Sequence, residues 1–299
     1  MKFLKLDQKG ISHYIVPAVF VIIIGVIGIR VLTVSHADTS MGIIEHTANK
    51  PKGLPQINQQ TGTFQTYGNT SSGICNLGTC FYYAAMAENT KATGASVTLS
   101  QPQPKLGSKD IHSLAELAVE SADGKQIVEI GWTVDPGVNS DSSPHLFVYH
   151  WVNGQSTCYN GCGFISTSKA DHAGGAVKVG VGGTYAIQYK NNQWQLIYNG
   201  VQIGYFPGYI WNGLFDHFGL VQVFGEVASS SQTPQAQMGN GVLGTSPGSA
   251  VIRNLTLTGA STTNTLSYNA IGAPAKYNVG AYDARCITAC GMNFGGPGY

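Results

Sequence analysis

The sequence predicts an all-β protein, an antiparallel β-sandwich of two sheets preceded by an N-terminal transmembrane helix. Composition, the period of the apolar residues and one long apolar run support this prediction. Of the 299 residues, 39 are glycine and 15 are tyrosine, while only 10% are charged, which is typical of short strands joined by tight turns. The net charge of +1 gives no electrostatic reason to expect a nucleic-acid partner.

Residues 1–37 are predicted to be a separate segment. Lysines precede an apolar run from Tyr14 to Ile29, and basic residues in that position keep the N-terminus in the cytoplasm. We expect a basic stub and a retained single-span anchor that contacts the cytoplasmic membrane through residues 14–33, with the rest of the chain outside the cell. The alternative is a cleaved signal peptide, since VLTVSHA offers small residues to a signal peptidase, and the protein would then be secreted.

Beyond the anchor, the chain divides into a linker and one domain. Residues 38–69 contain KPKGLP and INQQ and are predicted to be a flexible tether. From Ser113 onward, apolar residues alternate with others, as in SLAELAVE, and TYAIQYK, QWQLIY and VQIGYF form a meander with a hairpin turn at Asn199-Gly200. Strands at this spacing without helices between them indicate one β-sandwich domain over residues 70–299, expected to be a monomer.

Six cysteines lie beyond the anchor, in three close pairs. In an oxidising compartment they suggest three local disulfides, although other connectivities are open. Such spacings also occur in zinc sites, but no Cys/His framework of the usual kind accompanies them. We therefore expect structural disulfides, no metal and no cofactor. The pairs are Cys75 with Cys80, Cys158 with Cys162, and Cys286 with Cys290.

Two carboxylates in apolar runs are the candidate catalytic residues. Glu129 lies in IVEIGWTV and Glu226 in VQVFGEVA, where an unpaired buried charge would be costly. Because side chains alternate across a strand, each glutamate points away from the aliphatic face of its strand. If the opposite faces line one groove, the carboxyl groups meet there, with Gly131 leaving room for a substrate backbone and Gln222 able to donate a hydrogen bond.

Two neighbouring carboxyl groups can supply an acid and a base in one site. Repulsion between two neighbouring negative charges makes ionisation of both unfavourable, so one group keeps its proton and the pair works best in acid. The ionised group activates water while the protonated one polarises a carbonyl or protonates a leaving nitrogen. We assign Glu226 as the base and Glu129 as the acid, although either order satisfies this argument. Two unrelated glutamates that face solvent are the plain alternative.

Aromatic residues are candidates for contacts with an extended peptide. Trp151 is expected to line the groove, whereas Trp132 lies on the aliphatic face of its strand and is expected in the core. A further motif, GTSPG at Gly244–Gly248, matches the pattern of a serine nucleophile elbow. Its Pro247 and the absence of a following helix favour a loop instead.

Six short motifs follow one another along the chain, namely GWTVDP, HLFVYHW, TCYNGCGFI, IGYFP, VQVFGE and a terminal GGPG. In this order they resemble the neprosin family, glutamic endopeptidases first known from plants, with bacterial relatives. The likeness spans about residues 110–299. It implies a sandwich of two antiparallel sheets, a pair of catalytic glutamates and peptide cleavage at acidic pH, typically after proline and without a metal.

Residue by residue, the resemblance implies catalytic roles for Glu129, two positions before the Gly-Trp pair, and for Glu226, which closes the Val-Gln-x-x-Gly-Glu motif. Many family members have glutamine at the first position, so glutamate at both favours activity here. The resemblance also implies a disulfide between Cys158 and Cys162. We further expect Tyr205, in the IGYFP motif, to support substrate binding.

The sequence therefore predicts an extracellular, membrane-anchored glutamic endopeptidase that cleaves peptide or protein substrates in acid, with a preference for proline. The alternative is a non-catalytic sandwich that binds peptide or glycan at the cell surface. A glycosidase, which also uses two carboxylates, is a third possibility that the resemblance disfavours.

Overall fold

The computed structural model describes residues 52–55, 57–58, 63–64, 73–260, 266–281 and 290–299. All of these belong to the compact unit Glu45–Tyr299. The predicted anchor at residues 14–33 lies outside the described residues. Within the described ranges, no helix has the length and apolar character needed to cross a membrane.

Strands dominate the regular structure of the described residues. The described residues contain one short α-helix, α1 (Pro136–Asn139), and one turn of 3-10 helix at Gly208–Trp211. The strands are β1 (Ile57–Asn58), β2 (Thr63–Phe64), β3 (Ile74–Asn76), β4 (Thr79–Ala92), β5 (Gly94–Leu99), β6 (Asp110–Glu120), β7 (Ile127–Val134), β8 (His145–Val152), β9 (Gln155–Ser156), β10 (Ile165–Ser166), β11 (Gly183–Lys190), β12 (Gln193–Tyr198), β13 (Val201–Pro207), β14 (Phe218–Ser229), β15 (Ala250–Thr258), β16 (Ser267–Ile271), β17 (Asn278–Ala281) and β18 (Cys290–Gly295).

Two antiparallel sheets form the domain, which confirms the predicted all-β class. The first sheet has the order β16-β4-β14-β6-β7-β8-β9, with β3 paired to β4. The second has the order β10-β13-β12-β11-β5-β15-β18-β17, and β1 and β2 form a separate pair. One buried apolar cluster contains side chains from both sheets, including Leu117 and Trp132 of the first and Ile187 and Trp194 of the second. The two sheets therefore pack face to face around a shared core.

The core explains why the aliphatic faces of the central strands are so regular. On β7, Val128, Ile130, Trp132 and Val134 all belong to the inter-sheet cluster and are fully buried. The Trp132 indole also donates a hydrogen bond to the carbonyl oxygen of Ser100 at 2.9 Å. Trp132 is therefore a core residue, as the alternation along its strand predicted.

Tight turns connect the strands as predicted. Asn199 and Gly200 have φ values of 49° and 80°, the left-handed conformation that a type I′ hairpin needs at both positions. At the GTSPG motif, Gly244–Gly248 forms turns without a following helix, which is incompatible with a nucleophile elbow.

Disulfides tie down two loops in the described part of the chain. Cys75 bonds to Cys80 and Cys158 bonds to Cys162, so two of the predicted local pairs are confirmed. Cys290 is also disulfide-bonded, while Cys286 lies outside the described residues.

Candidate active site

Both predicted catalytic glutamates lie on the outer face of the first sheet, which points away from the second sheet. Glu129 on β7 and Glu226 on β14 are each 0% exposed. A second apolar cluster, distinct from the inter-sheet core, covers this face and includes Tyr83, Phe147 and Phe224. The carboxyl groups are therefore held in a largely apolar pocket rather than in solvent.

Strand β6 lies between β14 and β7 and adds a third glutamate to this pocket. Backbone pairing sets Glu116 opposite both Phe224 of β14 and Gly131 of β7. Glu129 is two residues from Gly131 and Glu226 is two residues from Phe224, so all three glutamates share one face. Glu116 is also 0% exposed. The middle strand thus carries a carboxyl group diagonally adjacent to each of the predicted catalytic residues.

A buried lysine binds this glutamate cluster, defined as Glu116, Glu129 and Glu226. Lys52 Nζ lies 2.5 Å from Glu116 Oε2 and 3.3 Å from Glu129 Oε2, and these side chains are all 0% exposed. The same Nζ lies 5.5 Å from the ring centroid of Phe147, within the range of a cation–π interaction. A cation here offsets part of the cost of burying several carboxylates together.

The chain that follows Lys52 also lies on the outer face. Gln222 Nε2 donates a hydrogen bond to the Pro55 carbonyl oxygen at 3.2 Å, and Pro55 is buried. Residues 52–55 fall inside the predicted flexible tether of residues 38–69. This part of the tether is instead packed against the domain, because the carboxylates bind its lysine and an amide binds its backbone.

Trp151 orients Glu129. The indole Nε1 donates a hydrogen bond to Glu129 Oε1 at 2.8 Å, while Glu129 Oε2 faces Lys52. Such a donor favours the ionised form of a carboxyl group. The structure thus brings the predicted groove residue Trp151 directly to a predicted catalytic residue.

His112 lies between Glu226 and Asp135. His112 Nε2 lies 2.6 Å from Glu226 Oε1, and His112 Nδ1 lies 3.9 Å from Asp135 Oδ2. Asp135 Oδ1 accepts hydrogen bonds from the backbone N–H groups of Gly137 and Val138. Asp135 therefore caps the N-terminus of α1, directly after the end of β7. The imidazole can therefore donate a hydrogen bond from Nε2 to Glu226, whereas the 3.9 Å from Nδ1 to Asp135 is too long for a hydrogen bond.

Burial opposes ionisation of Glu116 and Glu129. Burial raises the pKa of Glu116 well above its ordinary value, and the charge of Glu129 adds to the rise while Lys52 opposes it. Burial also raises the pKa of Glu129, against the lowering by Lys52 and Trp151. For Lys52, burial alone would lower the pKa, but the charges of the three glutamates raise it. The lysine therefore stays protonated, and its departure would favour proton uptake by the carboxyl groups.

Gln222 lies next to a fourth glutamate on the same face. Its Nε2 donates to Glu120 Oε1 as well as to the Pro55 carbonyl oxygen. Burial raises the pKa of Glu120 from its ordinary 4.5 to about 8, although the hydrogen bond from Gln222 opposes the rise. Gln222 is thus close to the cluster, with its amide N–H groups bound to Glu120 and to the packed segment.

Two glutamates of the cluster have a carboxyl oxygen without a hydrogen-bond partner among the described residues, namely Glu116 Oε1 and Glu226 Oε2. Glu129 Oε2 is instead ion-paired with the Lys52 ammonium at 3.3 Å. Buried polar atoms are normally hydrogen-bonded, so the two acceptors without partners form a place where a substrate or water can bind.

Gly131 and Tyr205 are placed differently from the sequence-based expectation. A Cβ at Gly131 would lie 2.2 Å from the Ala115 carbonyl oxygen and 2.7 Å from Glu116 Cβ. The glycine therefore makes room for β6 and Glu116 rather than for a substrate backbone. Tyr205 lies on β13 in the second sheet, next to the core residue Phe206. The structure does not bring Tyr205 to the glutamates.

Lys52, His112 and Glu116 are site residues that sequence reasoning did not select. His112 and Glu116 occupy alternate positions of DIHSLAELAVE, opposite the aliphatic residues of that strand, and this alternation is a usable signal. No such signal marks Lys52, because KPKGLP has the composition of a linker. Among the residues that the structure describes, no group of three or more His, Cys, Asp or Glu side chains is arranged to hold a metal ion.

Fold and site together define a class of protein, an antiparallel β-sandwich that carries a buried carboxylate cluster on the outer face of one sheet. The family model of neprosin matches residues 109–297, which include all three glutamates of the cluster. The chain belongs to the neprosin family, and the resemblance predicted from its motifs is confirmed.

Matches with solved structures have low identity and low TM-scores. Scytalido-glutamic peptidase with a peptide-based transition state analogue matches 71% of this chain and 97% of its own, with 11% identity and a TM-score of 0.37. The apo Crh5 transglycosylase matches 59% of this chain and 73% of its own, with 10% identity and a TM-score of 0.30. The carbohydrate binding module CBM66 from Bacillus subtilis matches 60% and 88%, with 9% identity and a TM-score of 0.29.

Proposed function

We propose that the protein is an extracellular glutamic endopeptidase that hydrolyses peptide bonds in peptide or protein substrates at acidic pH. The observation that carries the proposal is the burial of Glu129 and Glu226 on one face of one sheet, where Lys52 pairs with Glu129 and Glu226 Oε2 has no hydrogen-bond partner among the described residues. Membership of the neprosin family supports the same class of reaction. Without a chemical use, a pocket that buries several carboxylates would be expensive to maintain.

The proposed reaction uses a carboxylate to activate water. The carboxylate takes one proton from the water molecule, whose oxygen bonds to the carbonyl carbon of the peptide bond. A protonated carboxyl group of the same pocket polarises the carbonyl oxygen. As the C–N bond breaks, the proton taken from water passes to the leaving nitrogen, so the products are an acid and an amine. Glu226 suits the role of base, because His112 holds Oε1 while Oε2 has no partner among the described residues.

Lys52 must leave the pocket for this reaction to occur. Its ammonium occupies the space between Glu116 and Glu129, where a peptide carbonyl and a water molecule would need to bind. Acid favours its departure, because protonation of the carboxyl groups removes the charges that attract the ammonium. The packed state with Lys52 bound is therefore the resting state in this proposal, and acidic pH promotes the active state.

We extend the proposal to a preference for proline at the cleavage site and to a membrane anchor at residues 14–33. The first rests on the family resemblance and on the aromatic side chains that cover the outer face, since aromatic faces suit proline rings. The second rests on the apolar run with lysines before it. If the anchor is cleaved, the domain is secreted.

Cleavage of a proline-containing peptide library tests the proposed activity. Residues 38–299 would be assayed from about pH 2 to 7, where one carboxyl group of a pair is protonated and the other ionised. Glu129→Gln and Glu226→Gln are expected to abolish cleavage, while Asp216→Asn, at an exposed acidic residue, serves as the matched control. A folded domain that cleaves nothing across this range, with or without Lys52→Met, would overturn the proposal. Retained peptide or glycan binding would then favour the non-catalytic alternative.

A further inference from the structure

We propose that Glu116 is a third catalytic carboxyl group, which holds the proton that polarises the carbonyl of the peptide bond. This inference rests on the proposed function, since it assigns a role within that reaction. It adds a residue that neither the glutamate motifs nor the predicted pair includes.

The position of Glu116 is the first argument. Strand β6 lies between the strands of Glu129 and Glu226, and its pairing sets Glu116 one strand and two residues away from each. The side chain has room there because the neighbouring residue of β7 is Gly131. Any larger residue at this position would place its Cβ 2.7 Å from Glu116 Cβ. A group that bonds to both predicted catalytic carboxylates must pass close to Glu116.

The shared ammonium is the second argument. One nitrogen atom, Lys52 Nζ, contacts both Glu116 and Glu129, at 2.5 Å and 3.3 Å. When the ammonium leaves, a polar group of the substrate can take its place between the same two carboxyl oxygens. A carbonyl oxygen in that place requires a donor, and a carboxyl group can donate only when it is protonated.

The remaining partners of the three glutamates show which one suits the protonated role. Trp151 donates to Glu129, and His112 Nε2 lies 2.6 Å from Glu226 Oε1, so each of these carboxyl groups keeps a hydrogen-bond partner when Lys52 leaves. Glu116 has only Lys52 as a hydrogen-bond partner among the described residues, and its Oε1 has none. Removal of Lys52 therefore leaves Glu116 as the carboxyl group with the least support for a negative charge.

The charges around Glu116 also favour its protonated form once Lys52 has left. Burial and the charges of Glu129 and Glu226 raise the pKa of Glu116, and Lys52 is the group that lowers it. Once the lysine has left, only the raising influences remain. The titratable groups that face Glu116 from the packed elements are Lys52 of the bound segment, Glu129 of β7, Glu226 of β14 and Tyr159 after β9.

The assigned step balances without a further reactant. Neutral Glu116 donates a hydrogen bond to the carbonyl oxygen while the base takes a proton from water, and the water oxygen bonds to the carbonyl carbon. Glu116 can transfer its proton to the former carbonyl oxygen in the tetrahedral intermediate. It recovers the proton when the carbonyl double bond forms again and the C–N bond breaks, and the base delivers the proton from water to the nitrogen.

A simpler role is that Glu116 only anchors Lys52, and the test separates the two roles. Kinetics would be compared in protein that already carries Lys52→Met, with Glu116→Gln and Glu116→Leu added singly and Asp216→Asn, at an exposed acidic residue, as the control. We expect Glu116→Leu to lower kcat by about 10²- to 10⁴-fold, the usual contribution of a general acid. We expect Glu116→Gln, which still donates a hydrogen bond, to lower kcat less and to flatten the decline of activity at higher pH.

Two outcomes would overturn the role of Glu116. One is an unchanged kcat and pH profile in Glu116→Gln, which would leave the residue as an anchor. The other, which needs no Glu116 variant, is an infrared spectrum of Lys52→Met protein with Glu120→Gln that shows no protonated carboxyl band near neutral pH. If Lys52→Met protein itself cleaves no peptide, the proposed function fails instead, so the two failures are distinguishable.

Discussion

Replacement of Lys52 by methionine is the perturbation with the clearest expected result. Methionine keeps an unbranched apolar side chain of similar length but removes the ammonium that contacts Glu116 and Glu129. Loss of one partner from a buried ion pair typically costs about 3–5 kcal/mol. If that energy holds the segment in the pocket, the equilibrium shifts towards the open state by about a hundredfold to a few thousandfold, at about 1.4 kcal/mol per tenfold.

The assay is hydrolysis of a fluorogenic peptide by residues 38–299, with intact mass measured before and after to detect loss of the segment. We expect Lys52→Met to raise kcat/KM most near neutral pH, because the carboxylates that bind Lys52 are ionised there. In acid, kcat/KM of the variant should approach that of the parent, because protonation of the carboxyl groups weakens the ion pair in the parent as well. Lys50→Met, which removes a charge two residues earlier, is the control.

An equal kcat/KM for parent and Lys52→Met at every pH would refute this reasoning. It would mean that the segment leaves the pocket freely, or that the pocket is not where the substrate reacts. A variant that is less active than the parent at all pH values would refute it too, because the ammonium would then assist the reaction.

Other predictions concern stability and location. Folding raises the pKa of Glu120 from 4.5 to about 8 and so favours its protonated form. The free energy of unfolding therefore falls by about 1.4 kcal/mol per pH unit as the pH rises from 4.5 to about 8. Glu120→Gln should therefore raise the melting temperature at pH 8 and leave it unchanged at pH 4; a parallel shift at both would contradict this. Replacing Cys158 and Cys162 by serine should cost roughly 2 kcal/mol in denaturant unfolding, as expected for a short closed loop, and an unchanged midpoint would count against a structural disulfide. Deleting residues 1–37 should move the protein from the membrane fraction to the soluble fraction, and a full-length chain recovered only as soluble protein would argue against the anchor.

Much of the fold was predictable because alternation along a strand is a local property. The valines of VQVFGEVA and Val128, Ile130 and Val134 of IVEIGWTV face the shared core, so the opposite orientation of Glu129 and Glu226 followed from the sequence. The pairing of β14 with β6 joins segments far apart in the chain, and no local pattern specifies it. The insertion of β6 between the two glutamate strands therefore came from the structure.

The composition of the site was harder to predict for the same physical reason. Glu116 and Glu120 alternate with aliphatic residues in SLAELAVE, as the solvent face of a half-buried strand also would. Burial of that face depends on what covers it, and part of the cover is Lys52, from a segment with the composition of a tether. Tyr205 shows the reverse case, since a residue in a family motif lies in the other sheet.

The two faces of the first sheet differ in their role, and this difference determines how the protein tolerates amino-acid substitutions. On β6, β7 and β14, one face packs the core while the other presents the glutamates, so neighbouring positions along a strand serve different purposes. A saturation mutagenesis map of these strands should alternate with a period of two. Substitutions of the core-facing residues would reduce the amount of folded protein, whereas substitutions of the glutamates between them would leave it abundant and inactive.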